Sequence, residues 1–213
     1  MVGNNCLNYS LGRMPISIRI DGLRHLIVDS LIGPSNHAFM QALSAHPPVA
    51  DRPRIVSANQ TEADLAALGP AGEGMLTIGA WFEALDDPAT VAFRDRIAAL
   101  HGPDYRASCF FATAHAAVHL LAAGLEAAGT QEPRTVFAAV AGRPQDTVLG
   151  QVEINPLTRH TSLVPRLAVA EHGAFRIVSD AGQMVPPDPY LTNLAPLPVD
   201  RTADQRPNLR IVS

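Results

Sequence analysis

Apolar and polar positions along this chain follow two rhythms, and the change between them divides it. Residues 25–32, HLIVDSLI, form a short apolar run closed by Gly33-Pro34; β-branched residues bounded by a turn predict a buried strand. Ser35 stands where a cap belongs, and Phe39, Met40 and Leu43 fall on one face of the helix that follows. After Pro47-Pro48 the pattern repeats: a strand over 54–58, the capping-box spacing Thr61-Glu-Ala-Asp64, then Leu65, Leu68 and the stop Gly69-Pro70. A third strand is predicted over 75–82. Strands alternating with helices at this spacing predict an α/β fold with a parallel, doubly wound sheet.

Helices then dominate. Asp87-Pro88 opens one with Phe93, Ile97 and Leu100 at i, i+4 and i+7, and another runs from about Ser108 to Ala128, stopping at Gly129. Glu126 is the only charged residue of that longer helix, so most of its circumference calls for apolar neighbours. Pro133 starts a short helix through Val140. From there the rhythm shortens to strands at 150–154, 163–169 and 174–178, with turns at Asn155-Pro156 and Glu171-His-Gly173, an antiparallel texture. Residues 1–22 show no period and hold Gly3, Gly12, Pro15 and Gly22 as breakers; residues 195–213 read as a loose tail.

Composition narrows the function classes. Of 213 residues 47% are hydrophobic and 17% charged, enough apolar matter for a core and too little charge for a disordered chain. All 16 basic residues are arginine, the formal charge is −4, and no basic cluster forms, so nucleic acid and acidic membrane surfaces are not expected partners. Cys6 and Cys109 lie far apart and form no disulfide framework. The start lacks a basic region followed by an apolar one, and no run of 18 consecutive apolar residues occurs. As written the chain is expected in the cytoplasm without membrane insertion, or in the periplasm if an export signal was lost with its start.

Candidate chemistry is sparse. His115 and His119 have zinc-ligand spacing on one helix, but two ligands do not close a zinc shell, and structural histidines are the favoured reading. Cys109 with a histidine would make a nucleophile, against the commoner small buried cysteine. Asp86-Asp87 is better read as a helix cap than as a catalytic pair. Phosphate-loop and dinucleotide glycine motifs are absent, so no cofactor and no catalytic residue is expected. The polar run Ser57-Ala-Asn-Gln60 sits where a strand ends and a helix begins, the place where open α/β sheets collect ligands.

Several stretches in a fixed order carry a resemblance. Gly150-Gln-Val-Glu-Ile154, His160, Arg166, Gly173-Ala-Phe175 and Pro187-Asp-Pro-Tyr190 resemble the C-terminal signature of amide- and urea-binding proteins of the type I periplasmic-binding fold. Residues 55–64 resemble that family's strand-and-cap segment, and Trp81-Phe82 with Asp86 and Phe93 its interlobe crossover. Within the amide, urea and branched-chain amino acid branch, the likeness is greatest to amide sensors that negatively regulate aliphatic amidase operons.

The resemblance implies two α/β lobes joined by crossovers and an N-terminally truncated chain. Residues 23–74 and 145–194 would belong to the second lobe, residues 75–144 to the crossover and helices of an incomplete first lobe. It further implies a non-enzymatic binding protein for a small amide, urea or amino acid, acting as a sensor that holds an antiterminator or as the substrate-binding part of an ABC transporter. Ser57, Asn59 and Gln60 would contact ligand, Ile32 and Gly33 would line the same edge, and Trp81 would flank the crossover. Phe93, Ile97, Leu100, Val118, Leu121 and Leu125 would be left partly exposed, favouring a homo-oligomer or a borrowed partner surface. A remnant that binds nothing, or a Cys109 hydrolase, are the competing outcomes.

Overall fold

The computed structural model describes residues 26–45 and 54–189; the expectations for residues 1–22 and 195–213, and for Tyr190, lie outside them. The elements run β1 (Leu26–Asp29), α1 (Pro34–Ser44), β2 (Arg54–Ser57), α2 (Glu62–Leu68), β3 (Leu76–Gly79), α3 (Pro88–His101), α4 (Cys109–Ala128), α5 (Pro133–Val140), β4 (Pro144–Thr147), β5 (Gly150–Ile154), β6 (Thr161–Ser162), β7 (Arg166–Glu171) and β8 (Ala174–Asp180).

Local chemistry sets most boundaries. β1 stops at Asp29 because its carboxylate accepts the Leu31 N–H at 3.0 Å and the Asn36 side-chain amide, which turns the chain out of the sheet. Helix α1 begins at Pro34 rather than after Ser35, with Gly33 in the cap position at φ 61°, where a glycine is tolerated and proline suits the first helical residue. Thr61 and Asp64 close the capping box of α2. The Asp87 carboxylate accepts the Ala89 and Thr90 N–H groups at the head of α3, and Ser108 caps α4 through Phe111 N–H at 3.1 Å.

The main sheet has the order β1-β2-β3-β7-β8. β1, β2 and β3 are parallel, as the alternating pattern predicts; β7 joins β3 antiparallel, and β8 returns against β7 through a two-residue turn at His172-Gly173, both with positive φ. The sheet is therefore mixed. One face packs under α1 and α2, where Met40, Leu65, Leu68, Met75, Phe82 and Phe175 form the first core. The opposite face buries only a strand cluster of Leu76, Leu167 and Val169 and leaves Val28, Ile78 and Val178 at 75, 46 and 42% exposure; among the described residues no helix residue joins that cluster.

A second core surrounds Trp81, which is fully enclosed, with Phe93 and Ile97 of α3 and Ala112 and Ala116 of α4. The sequence places residues 145–194 together with the strands of 23–74. In the structure only β7 and β8 join that sheet, whereas β4, β5 and β6 make a separate three-stranded one on the helical side. The reason is the β4–β5 turn, whose Val148 and Leu149 insert beside Trp81, with Val152 following them. Phe93 and Ile97, which the sequence leaves exposed, are buried in this core, where Phe93 meets Trp81, Phe111 and His115. Leu100, Val118, Leu121 and Leu125 do stay exposed. By length and composition alone α4 is long and apolar enough to cross a membrane, with Ala112, Ala116 and Gly124 turned into the protein.

Candidate functional site

The carboxyl ends of β1 and β2 and the body of β3 meet at the run 57–60. Ser57, at the end of β2, is buried, and its Oγ accepts the Asn59 N–H at 3.1 Å. That bond turns Asn59 back towards β1, where its Nδ2 donates to the Ser30 carbonyl at 3.1 Å. From β3, Thr77 Oγ1 donates to the Gln60 carbonyl, also at 3.1 Å. Three strands are thereby tied together at one polar rim beside the ends of β1 and β2.

Gln60 is 5% exposed, and its side-chain Oε1 is buried without a hydrogen-bond partner. A buried carbonyl left unpaired costs about 1–3 kcal/mol, so the rim holds an acceptor that lacks a donor. Ile32 is 71% exposed on the turn after β1, and Gly33 follows it with open space where a Cβ would stand. Ser57, Asn59, Gln60 and the Ile32-Gly33 turn thus follow the ends of adjacent strands β1 and β2. Trp81 stands apart from them: its ring is enclosed, its Nε1 donates to Thr90 Oγ1 at 3.1 Å, and Phe93 meets it edge-on at 5.7 Å.

Sequence reasoning missed two polar groups behind this rim. Asp29 and Asn36 hold the β1–α1 turn from inside; an acid inside an apolar strand is the signal that could have found them. Glu62, read only as part of a cap, lies 7% exposed, and its Oε1 accepts the Glu83 N–H at 2.8 Å while Oε2 is buried without a partner. Burial pushes its carboxyl up from the ordinary 4.5 to about 7; the Glu83 N–H opposes this, the Glu83 charge reinforces it, and Arg106 pulls it back. Glu83 is itself a junction, with Arg106 Nη1 at 2.9 Å from its carboxylate and Arg94 Nη1 donating to its carbonyl at 2.7 Å.

The remaining candidates lie elsewhere. Cys109 is half-buried at the head of α4, and among the described residues no histidine hydrogen-bonds to its sulfur. No three His, Cys, Asp or Glu side chains among the described residues converge on a metal position. An open groove of about 450 Å³ runs between α4, α5 and β5–β6, lined by Leu120, Leu121, Leu125, Val136, Phe137 and Ile154 among others. None of the six candidate ligand residues lines it.

A search among curated proteins returns no match. Solved structures do match. A solute-binding protein of an R. palustris ABC transporter, in complex with benzoate, superposes with a TM-score of 0.65 at 20% identity, over 75% of this chain and 44% of that one. A second, from the same organism in complex with 4-hydroxybenzoate, gives 0.62 at 25% identity over 73% and 44%. A leucine-binding protein from Thermotoga maritima gives 0.61 at 14% over 73% and 44%. The chain thus spans less than half the length of these proteins. They are binding proteins rather than enzymes, and their likeness accounts for a mixed α/β unit that is an incomplete version of their fold. The family model described as periplasmic binding protein domain matches residues 17–196, most of the chain, and the chain belongs to that family.

Proposed function

We propose that this chain is the ligand-recognising part of a small-molecule-binding protein, and that its rim at Ser57, Asn59 and Gln60 takes a small amide, urea or amino acid. The main sheet with α1 and α2 forms one lobe. α3, α4 and α5 with β4–β6 belong to the other, whose main sheet is encoded elsewhere; the exposed Val118, Leu121 and Leu125 of α4 support that division. Ile32 and Gly33 would frame the ligand once the two lobes face each other, with Trp81 supporting the crossover from inside the second core.

The single observation that carries the reading is the unpartnered, buried Gln60 Oε1 beside the Asn59 bridge. Amides, ureas and the ammonium group of an amino acid all supply the N–H donor it lacks; a benzoate carboxylate does not. The complete protein would act outside the inner membrane as the solute-binding partner of an ABC permease, in line with the named structural neighbours. The resemblance of Pro187-Asp-Pro-Tyr190 to amide sensors favours a second reading, in which an antiterminator is the partner.

Half a clamp binds weakly, so the test must read millimolar affinity. Titration of the 15N-labelled chain with acetamide, butyramide, urea and leucine, to about 50 mM for Kd values in that range, should shift the Asn59 and Gln60 side-chain amides and the Ser57 amide. Gln60→Ala should abolish the shifts. Benzoate shifting the same resonances in preference to all four would overturn the ligand class, and no shift with any of the five would overturn the binding function.

A further inference from the structure

His115 and His119 stand one turn apart on α4, and their Nε2 atoms are 3.1 Å from each other, with ring centroids 4.3 Å apart and rings inclined by 44°. Two imidazoles sharing a helix face can splay in different rotamers; these two bring the same atom to one point. A hydrogen bond between them uses one N–H and one lone pair, so at least one ring presents an unprotonated nitrogen there. Phe93 meets the His115 ring edge-on at 4.9 Å and holds it from the protein side, while His119 is exposed to solvent.

That spacing is a chelate bite. With metal–nitrogen bonds of about 2.0–2.1 Å, two nitrogens 3.1 Å apart subtend about 95–100° at the metal, between the cis angle of a tetragonal or octahedral ion and the tetrahedral angle. The geometry points to a two-point site for a borderline divalent transition cation, Cu²⁺, Ni²⁺ or Zn²⁺, held by His115 Nε2 and His119 Nε2 with water in the remaining positions. Imidazole-only ligation excludes Mg²⁺ and Ca²⁺, which need oxygen cages, and among the described residues no third His, Cys, Asp or Glu joins the pair.

The outer shell sets the strength. His115 Nδ1 is buried without a hydrogen-bond partner, whereas ligating histidines ordinarily pass that N–H to a carboxylate or carbonyl, a contact worth about 10–100-fold in affinity. The site is therefore open and exchanging rather than a closed structural zinc centre. Its existence does not depend on what the rim at Asn59 binds.

Cu²⁺ is the probe, because it heads the affinity order and reports its ligands magnetically. Calorimetric titration of the whole chain should give one saturable Cu²⁺ site that needs His119, and the electron paramagnetic resonance spectrum should show hyperfine coupling to two imidazole nitrogens. His119→Ala should weaken binding at least tenfold and reduce the coupling to one nitrogen. The apo thermal midpoint of that variant should match the parent, since His119 is exposed. His172→Ala, removing an exposed histidine of the β7–β8 turn, should change nothing. Copper binding that survives His119→Ala undiminished, a one-nitrogen spectrum from the parent chain, or no saturable binding would each overturn the site.

Discussion

Replacing Glu62 by glutamine should turn a pH-dependent protein into a flatter one. In the folded chain the Glu62 carboxyl is raised from 4.5 to about 7, chiefly because burial penalises its charge. A group whose folded value lies above its unfolded one adds stability that is fully present below the unfolded value and is lost as pH rises through the folded one. The window is therefore about pH 4.5 to 7. At about 1.4 kcal/mol per pH unit, a shift of this size removes about 3 kcal/mol by pH 8. For a chain of this length that corresponds to about 6–12 °C in Tm. Glutamine keeps an oxygen for the Glu83 N–H and cannot ionise. Thermal unfolding of parent and Glu62→Gln followed by circular dichroism from pH 4.5 to 8.5 isolates the effect, because every other titrating group is common to both. The variant should melt close to the parent at pH 4.5 and progressively above it towards pH 8.5. A difference in Tm that is constant with pH, or one that grows as pH falls, would refute the reasoning.

Three further outcomes follow from packing. Trp81→Phe removes the indole N–H donated to Thr90 and opens a cavity in the second core; chemical denaturation should show a loss of about 2–4 kcal/mol. Gly124→Ala places a methyl 3.0 Å from Val136 Cγ1 and 3.2 Å from its carbonyl oxygen, so the α5 backbone must give by a few tenths of an ångström; set against about 1 kcal/mol of gained helix propensity, a net loss of up to about 2 kcal/mol should appear in the same assay. Val118→Glu with Leu121→Glu alters only exposed positions of α4, so stability should move by no more than about 0.5 kcal/mol per site. Sedimentation velocity should show fewer oligomers than for the parent chain, and an unchanged distribution would acquit this face of self-association.

What the amino-acid sequence discloses here is what neighbours in the chain decide. Thr61 with Asp64 and Asp87 with Pro88 act within one helical turn, as Ser108 and Gly129 do at the two ends of α4, and each sets its helix boundary where the pattern predicts. β4 is illegible because Pro-Gln-Asp-Thr has no apolar period; a hairpin partner and two buried turn residues, Val148 and Leu149, recruit it. Those same residues share one core with Phe93 and Ile97, which lie about 50 positions before them in the chain, a gathering that no local pattern encodes. The antiparallel entry of β7 beside β3 is of the same kind. At the rim, polar residues after a strand mark Ser57, Asn59 and Gln60 as candidates, but the Asn59 bond to Ser30 spans 29 positions and becomes visible only when β1 and β2 pair. Glu62 hides for another reason: at a helix start an acid is ordinary, and its distinction lies entirely in being buried.

Glu62 also connects the two halves of the chain. It follows Gln60 by two residues, and its carboxylate grips the Glu83 N–H, whose residue holds Arg106 ahead of α4 and Arg94 on α3. Arg166, at the start of β7, adds a second tie by donating to the Ala80 carbonyl while pairing with Asp180 at 2.8 Å. The segment from Ala80 to Glu83 is thus held from both sides, by the Glu62 carboxyl and by the guanidinium groups of Arg94 and Arg166, whose hydrogen bonds contribute about 1.5–3 kcal/mol each. A ligand at the rim can shift the arrangement of the halves only by its difference in affinity between two arrangements. Under the proposed binding function, the Glu62–Glu83 contact is where such a difference would be expressed, because it lies two residues from the rim and bonds directly to the segment that leads to α3 and α4. Loss of a proton from Glu62 near pH 7 changes the charge at that contact, so a proposed ligand response of the rim would have to show the pH dependence that Glu62→Gln removes.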